Sequence, residues 1–425
     1  VHGDAELEAA IRRRIPASLA LFMAHVDPET GRLPNWGAND GALIGVWTEC
    51  EPEDFRPLLN ALAHAVDRPL PFPPGPWDEE LLWLHGPGAL DADRSPDPPR
   101  EPGDHRFWQQ GLWIDRPSRS RFAVLRAGTI RSRYGQQADQ LHVDLFVDGI
   151  NLALDAGSFN YNKRPEDHNW FRGTRSHNTV LVGDVDQMVP HRTFKYLHWT
   201  RTASWEPRGH GLDYARIAAH DGYLRLPGAW LHTRMLARRG STWCVVDRVA
   251  PTEPAAPPTD VALHWQLADL AHAWDEDTST LSLEMPKGAP DPRWNVVVGC
   301  TDPTFHASTA RASLDPVDGW HSRTYNHRDP ALALSSAGTA AGPVWFVTLI
   351  GPEPASYRLE GEPEPRSLIV DDHPPIDLGA MHTPGYPGEK TDDWIPPSPL
   401  SPTQESLKRG LDVGLASVGL LGAAP

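Results

Sequence analysis

Over the first 85 residues apolar positions recur at intervals of three and four, whereas beyond residue 104 they alternate with polar ones or form short runs. The first period belongs to helices and the second to strands. Leu59, Leu62, Ala63 and Val66 make one apolar stripe over 55–66, with Asp54 placed as its N-cap, and a second short helix opens at Trp77. Two more helices are predicted over 5–14 and 17–25, divided by Pro16, whose missing N–H and bulky ring disrupt a helix interior. Residues 86–104 carry Pro, Gly and Asp at a density that interrupts both periods and read as a linker. Leu141, Val143, Leu145 and Val147 then alternate with His142, Asp144 and Phe146, and Asp148-Gly149 supplies a two-residue turn into 151–154. That is a hairpin with the first set facing inward and the second outward. Further strand-like runs fall at 178–182, 200–205, 231–237, 243–249, 261–266, 280–285, 294–298 and 344–350. Strands without long helices between them imply a large antiparallel β-sandwich, so the fold class is α+β. The expected domains are a helical part over 1–85, the linker 86–104, the sandwich 105–360 and a Pro-rich tail 361–425, left without regular structure over most of 361–402.

Composition narrows the function classes. No uninterrupted apolar run approaches the roughly 18 residues of a membrane span. The net charge of -17 opposes a nucleic-acid partner or an anionic membrane, and no Lys-rich run offsets it. Arginine supplies the positive charge apart from Lys163, Lys195, Lys287, Lys390 and Lys408. Its forked donors suit carboxylates and sulfates, although coding bias explains the preference equally well. Cys50, Cys244 and Cys300 are too widely spaced for a zinc knuckle and odd in number, so they define no disulfide framework. No dinucleotide, P-loop, zinc-protease or esterase motif stands in a supporting context. The chain opens Val1-His2-Gly3 with no leader pattern, and it is expected to be the back part of a longer one.

The densest polar constellation runs from Gly135 to Gln187. It holds Gln137-Ala138-Asp139, then Asp155-Ala156-Gly157-Ser158-Phe159-Asn160-Tyr161, then Phe171-Arg172-Gly173-Thr174-Arg175-Ser176-His177-Asn178-Thr179-Val180. A hairpin followed by D-x-G-S-x-x-Y and F-R-x-T-x-x-H-N-T-V resembles the C-terminal domain of the heparinase II/III-like polysaccharide lyases. Upstream, the run from Leu33 to Ala42 and Asp54-Phe55-Arg56-Pro57 look like the close of that family's helical toroid, so the resemblance spans about 34–185.

The resemblance implies an (α/α) toroid, here a remnant, followed by the sandwich, and β-elimination of an acidic, uronic-acid-containing polysaccharide in the periplasm or cell envelope, an activity expected to be incomplete in this chain. A full member carries more toroid, including an Asn or His and a Tyr used in catalysis. In such a reaction a polar or cationic group offsets the sugar carboxylate, a base takes the C5 proton and an acid protonates the departing oxygen. Tyr161 and Arg172 are the candidates for proton transfer and carboxylate binding, the arginine expected near the tyrosine and favouring its phenolate. The alternatives are an edge aromatic and a loop-holding ion pair. Asn35, Asn39, Asp40, Trp170, Arg175 and Asn178 are candidate substrate contacts. Asn and Asp in this setting also make turns and caps. Trp36, Trp108, Trp113 and Trp199 could likewise stack on sugars or simply pack.

No cofactor is required for the chemistry, but family members hold a structural zinc through a His of H-A-D, the Asp of D-x-G and the His of H-N-T. Asp155 and His177 match the last two, while Gln137 stands at the first, and Gln is a poor zinc ligand. A zinc would need a substitute such as Asp139 or His142. His177 hydrogen-bonded to Asp155 without metal is the alternative. Gly135 stands where a further family histidine belongs. A non-catalytic carbohydrate-binding or exopolysaccharide-assembly protein and a hydrolase of neutral glycans are the rival functions.

Overall fold

Alternating residues and tight turns build two antiparallel sheets whose apolar faces meet. The structure, a computed structural model, describes residues 5–382 apart from 36, 43–44, 96–102, 108–110, 129–136, 163 and 208–210. The first sheet runs in the order Gly103–Phe107, Leu112–Arg116, Arg121–Arg126, Val143–Val147, Ile150–Ala153, Thr259–Leu267, Leu332–Ala340, His306–Arg311, and Val180–Val182 also pairs with Thr259–Leu267. The second is ordered His272–Asp275, Thr280–Glu284, Arg293–Cys300, Val344–Gly351, Thr242–Pro251, Trp230–Arg239, Tyr214–His220, Thr202–Trp205. Leu145, Val245, Trp243, Trp265, Trp294 and Phe346 fill the space between them. Burying each aliphatic or phenyl side chain there contributes roughly 1.5–3 kcal/mol.

One charged group crosses this core. Arg234 grips Asp247 through Nε and Nη2 at 2.7 and 2.9 Å, and His232 Nε2 meets the same carboxylate at 2.6 Å. Nη1 of Arg234 reaches across to the carbonyls of Leu141 and Asn178. The second sheet thereby holds two backbone turns of the first.

The hairpin forms as expected, with Asp148 at φ 49° and Gly149 at 84° in its turn. Its second set of residues is not outward in the sense of wetted. His142, Asp144 and Phe146 are buried because helix α1 (Ala5–His25) and the chain after it cover that face. Leu21 and Ala24 pack on Phe122 and Phe146, whose rings stack at 4.9 Å. Buried Arg116 caps the end of α1 by donating to the carbonyls of Ala24 and Val26 at 3.1 and 3.0 Å.

Helix α1 is continuous through Pro16, where two helices were expected. The carbonyl that Pro16 leaves unpaired belongs to exposed Arg12, so no buried acceptor is orphaned. Helix α2 (Arg56–Ala65) follows Asp54, whose Oδ1 accepts from the Arg56 N–H at 3.0 Å although Phe55 holds the N-cap position. Helix α3 (Asp78–His85) carries Asp78, which binds the Arg94 guanidinium at 2.8 Å. Among its described residues the expected linker forms a 3-10 turn, Pro87–Asp91, is tied back to α3 through Arg94, and ends in the first strand at Gly103. Strands Ser367–Val370 and Ile376–Asp377 lie where an unstructured tail was expected, and Leu368, Ile376, Leu378 and Met381 cover the outer face of the second sheet. Their apolar residues are spaced too closely among prolines to show a period. Residues 383–425 lie outside the described ones. No helix among the described residues is long and apolar enough to cross a membrane.

Candidate functional site

The D-x-G segment leaves the end of Ile150–Ala153 and meets the short strand Trp320–Thr324. Gly157, at φ 83°, comes so close that a Cβ would stand 1.9 Å from the carbonyl oxygen of Ser322, so only glycine fits. Its N–H donates to Asp155 Oδ1 at 2.7 Å, and Asn35 Nδ2 donates to the same oxygen at 3.2 Å. The second motif forms helix α4 (Pro165–Arg172) and a 3-10 turn at Thr174–Ser176, which delivers His177 to the other carboxylate oxygen.

His177 is fully buried, with Nδ1 on the Gly173 carbonyl at 2.7 Å. Its Nε2 stands 3.3 Å from Asp155 Oδ2 and 3.3 Å from Gln137 Oε1. The Gln137 amide is oriented by its other end, where Nε2 donates to the carbonyls of Gly157 and Phe171 at 2.9 and 3.3 Å. Burial pushes the Asp155 carboxyl up, but His177, His142 and the Gly157 N–H outweigh it and hold it down at about 2.

One oxygen of Asp139 lies within 4.8 Å of the ligand atoms of Asp155 and His177, all three residues being buried. His142 is engaged elsewhere, with Nε2 on Asp144 at 2.8 Å and Nδ1 accepting the Asn178 N–H at 2.9 Å. The donor set therefore fits a divalent ion through Asp139, Asp155 and His177, with Gln137 adding a neutral oxygen. Oδ1 of Asp139 is buried and has no hydrogen-bond partner among the described residues, as an oxygen facing a cation would be. Gly135 lies outside the described residues.

Tyr161 stands apart from this buried group. Its half-buried hydroxyl donates to Asp40 Oδ2 at 3.4 Å, and its ring packs against Phe194 at 4.8 Å and Tyr325 at 4.9 Å. Both partners are well exposed, at 41% and 38%, and Asn162 Nδ2 holds the Tyr325 hydroxyl at 2.8 Å. Burial and the Asp40 carboxylate raise the Tyr161 pKa. The sequence reading placed an arginine beside it with the opposite effect. Arg172 instead turns its Nη1 to the carbonyls of Arg192 and Thr193 at 2.7 and 2.9 Å, holding the segment that presents Phe194.

The remaining candidates separate into two sets. Asn39 bonds Asn35 at 3.0 Å and caps its own turn at Gly41, and Asp40 does the same at Ala42. Both stay near the surface, and Asp40 lies beside Tyr161. Asn178 is buried, its amide bonded to the carbonyls of Val143 and Leu154 at 2.8 and 3.2 Å and to the Gln266 N–H at 2.5 Å. Trp170 is buried edge-on to Phe171, and Arg175 pairs with exposed Asp184 at 2.5 Å. Trp113 is buried under Arg216, Trp199 is partly exposed, and Trp36 and Trp108 lie outside the described residues. Tyr325 and Phe194 were not singled out from sequence. Their only signal is an aromatic beside a turn-forming Asn326 and a solitary Phe in a polar stretch.

A family model described as heparinase II/III-like, C-terminal, matches residues 102–356. A crystal structure of heparinase III superposes with a TM-score of 0.58 at 12% identity, covering 88% of this chain and 55% of that one. A mutant of the heparan sulfate lyase HepC from Pedobacter heparinus gives 0.57 at 18% identity, covering 85% and 52%. This chain spans about half the length of the solved structures it resembles. No curated protein matches it. At these identities the superpositions establish a shared sandwich fold, and with the family match over 102–356 they show that the chain belongs to the heparinase II/III-like family of polysaccharide lyases.

Proposed function

We propose that this chain serves a lyase that cleaves an acidic, uronic-acid-containing polysaccharide by β-elimination, with Tyr161 as the proton donor. The observation that carries this reading is the pairing of Tyr161 with Asp40 at the surface, between Phe194 and Tyr325. A phenol whose pKa is raised keeps its proton at neutral pH and gives it to a departing oxygen. In the step, the sugar C5–H bond breaks to a base, the C4–C5 double bond forms, the C4–O bond breaks, and the leaving oxygen takes the phenolic proton. No water is consumed.

Asn39, Asp40 and Asn162 offer polar groups beside the rings, and Arg172 acts as a positioning residue by fixing the turn before Phe194. Trp170, Asn178 and Asn35 support the wall from behind. A divalent ion held by Asp155 and His177 would stiffen the turn that carries Gly157. A periplasmic or envelope location accords with a polymeric substrate.

The second reading, a glycan-binding protein without turnover, is favoured by Gln137 at a family histidine position and by the anionic Asp40 beside the tyrosine. Both are tested by incubating the chain with a panel of uronate polysaccharides and following the ultraviolet absorbance of the unsaturated product. Product formed by the wild type and lost in Tyr161→Phe supports the lyase. Binding without product supports the alternative.

A further inference from the structure

We propose that the surface strap over residues 187–205 is a docking track for an acidic polysaccharide, leading away from Tyr161. Arg192 and Lys195 meet the anionic groups of the polymer, and Phe194, Leu197 and Trp199 meet the faces of its sugars. The class of polymer rests on the lyase reading above, while the track itself is argued from its own residues.

The first observation is charge. The chain carries 56 acidic residues and a net charge of -17, yet residues 187–205 hold no Asp or Glu. The same stretch holds His191, Arg192, Lys195, His198 and Arg201. Asp186 and Glu206 bracket it and face other partners, the Thr174 N–H at 2.7 Å and Arg216 at 2.7 Å. Asp221 pairs with Arg201 at 2.8 Å. Arg192 is exposed and has no ion-pair partner among the described residues. On an anionic molecule, such a strip is where a polyanion meets attraction instead of repulsion.

The second is apolar exposure. Leu197 is 67% exposed, and Phe194 and Trp199 are also well exposed. Sugar rings offer C–H faces that pack on side chains of this kind. The Phe194 ring lies 4.8 Å from that of Tyr161, so the track begins at the edge of the proposed proton donor.

The third is rigidity. A short hairpin pairs Pro190 with Tyr196 and His191 with Lys195, leaving 192–194 as its tip. Arg172 donates to the carbonyls of Arg192 and Thr193, and His168 Nε2 meets the latter at 2.8 Å. Further along, Arg225 Nη1 donates to the Gln187 carbonyl at 3.0 Å and Trp199 Nε1 to the Tyr196 carbonyl at 2.9 Å. These anchors hold Arg192 at φ 56°, a conformation easier for Gly or Asn. A surface already ordered loses little entropy when a ligand settles on it.

Basic and apolar side chains together also suit an anionic membrane. A plane of headgroups would bring the rest of the acidic surface into repulsion, whereas a single sugar chain touches only the strap.

The test measures calorimetric binding of the purified chain to polygalacturonate, which carries carboxylates alone, and to heparin, which adds sulfates. Dextran is the neutral control. Acidic polymer is expected to bind, less tightly as salt rises, and dextran is not. The tighter of the two acidic polymers identifies the anionic group. Arg192→Gln combined with Lys195→Gln is expected to weaken binding about 10-fold, and Leu197→Ala about 5-fold, both with unchanged unfolding midpoints. Binding is read without turnover, so a chain that binds through these residues but forms no unsaturated product upholds the track and overturns the role of Tyr161. Wild-type affinity in the double variant overturns the track, as does failure to bind either acidic polymer more tightly than dextran. So does tighter binding to vesicles of equal parts phosphatidylserine and phosphatidylcholine that the double variant loses, which assigns the strap to a membrane surface.

Discussion

The buried group around Asp155 and His177 and the surface group around Tyr161 come from the same motif stretch, yet they obey different constraints. Around His177 most polar atoms have a named partner, down to backbone carbonyls of two separate segments. Around Tyr161 the hydrogen bonds are few, and two of the packed rings are well exposed. A side chain whose neighbours already consume its donors holds structure. One with a free face and a proton to give is available to a ligand. The motif that marks the family is therefore mostly framework, and on the proposed reading its reactive edge is Tyr161 alone.

The sharpest way to break this contrast lies in the interior. Arg234→Met takes the guanidinium from Asp247, leaving it only His232, and strands two carbonyls, and it is expected to cost about 3–5 kcal/mol of stability. Denaturant unfolding that moves by less than 1 kcal/mol would show that the cross-sheet grip is dispensable. Tyr161→Phe should do the reverse, slowing formation of the unsaturated product from a uronate polymer by about 10²–10⁴-fold with an unchanged unfolding midpoint. If rate and stability fall together, Tyr161 belongs with the framework.

Acidity separates the regions further. His25 and His264 are buried and held down at about 4 and about 3, chiefly by burial. Their unfolded forms protonate near pH 6.5, so the stability they confer is full above that value and falls as pH drops toward their folded values. About 3 kcal/mol, roughly half from each, should go between pH 6.5 and pH 5, read from urea midpoints. A flat profile would mean both are charged in the folded chain. Tyr161, with its pKa raised, should leave the neutral-pH rate insensitive over the same interval. The smallest effect is expected at the rim, where Tyr325→Ala should weaken polysaccharide binding by about 1 kcal/mol without altering the fold. Calorimetry showing wild-type affinity would remove Tyr325 from the contact surface.

Much of this was legible from sequence where the signal is local. The alternation at 141–154 and the turn at Asp148-Gly149 specify a hairpin by themselves, and Asp155 and His177 were paired through their motifs. Pro16 misled, because a proline's cost depends on whether the carbonyl it orphans is wetted, which a sequence does not state. The arginine of the second motif was assigned to a sugar carboxylate, whereas loop carbonyls take its donors. Its partners lie twenty residues away in a turn without periodicity. The choice between Asp139 and His142 rested on which one Asp144 and the Asn178 N–H engage, a matter of tertiary approach. Tyr325 and Phe194 reach Tyr161 from two separate segments further along the chain and carry no pattern that could announce it.

The close approach of Gly157 to Ser322 has an engineering consequence. The contact is main chain against main chain, with the Ser322 N–H bonded to the Ala156 carbonyl at 2.8 Å. No side chain of the 320–330 hairpin is needed to seat it at that point. Its tip, Tyr325-Asn326-His327, is consequently a replaceable cartridge on a fixed socket. A library varied at Tyr325 and His327, with Asn326 kept for its φ of 64°, would vary the side chains presented beside Tyr161 while leaving this main-chain contact in place.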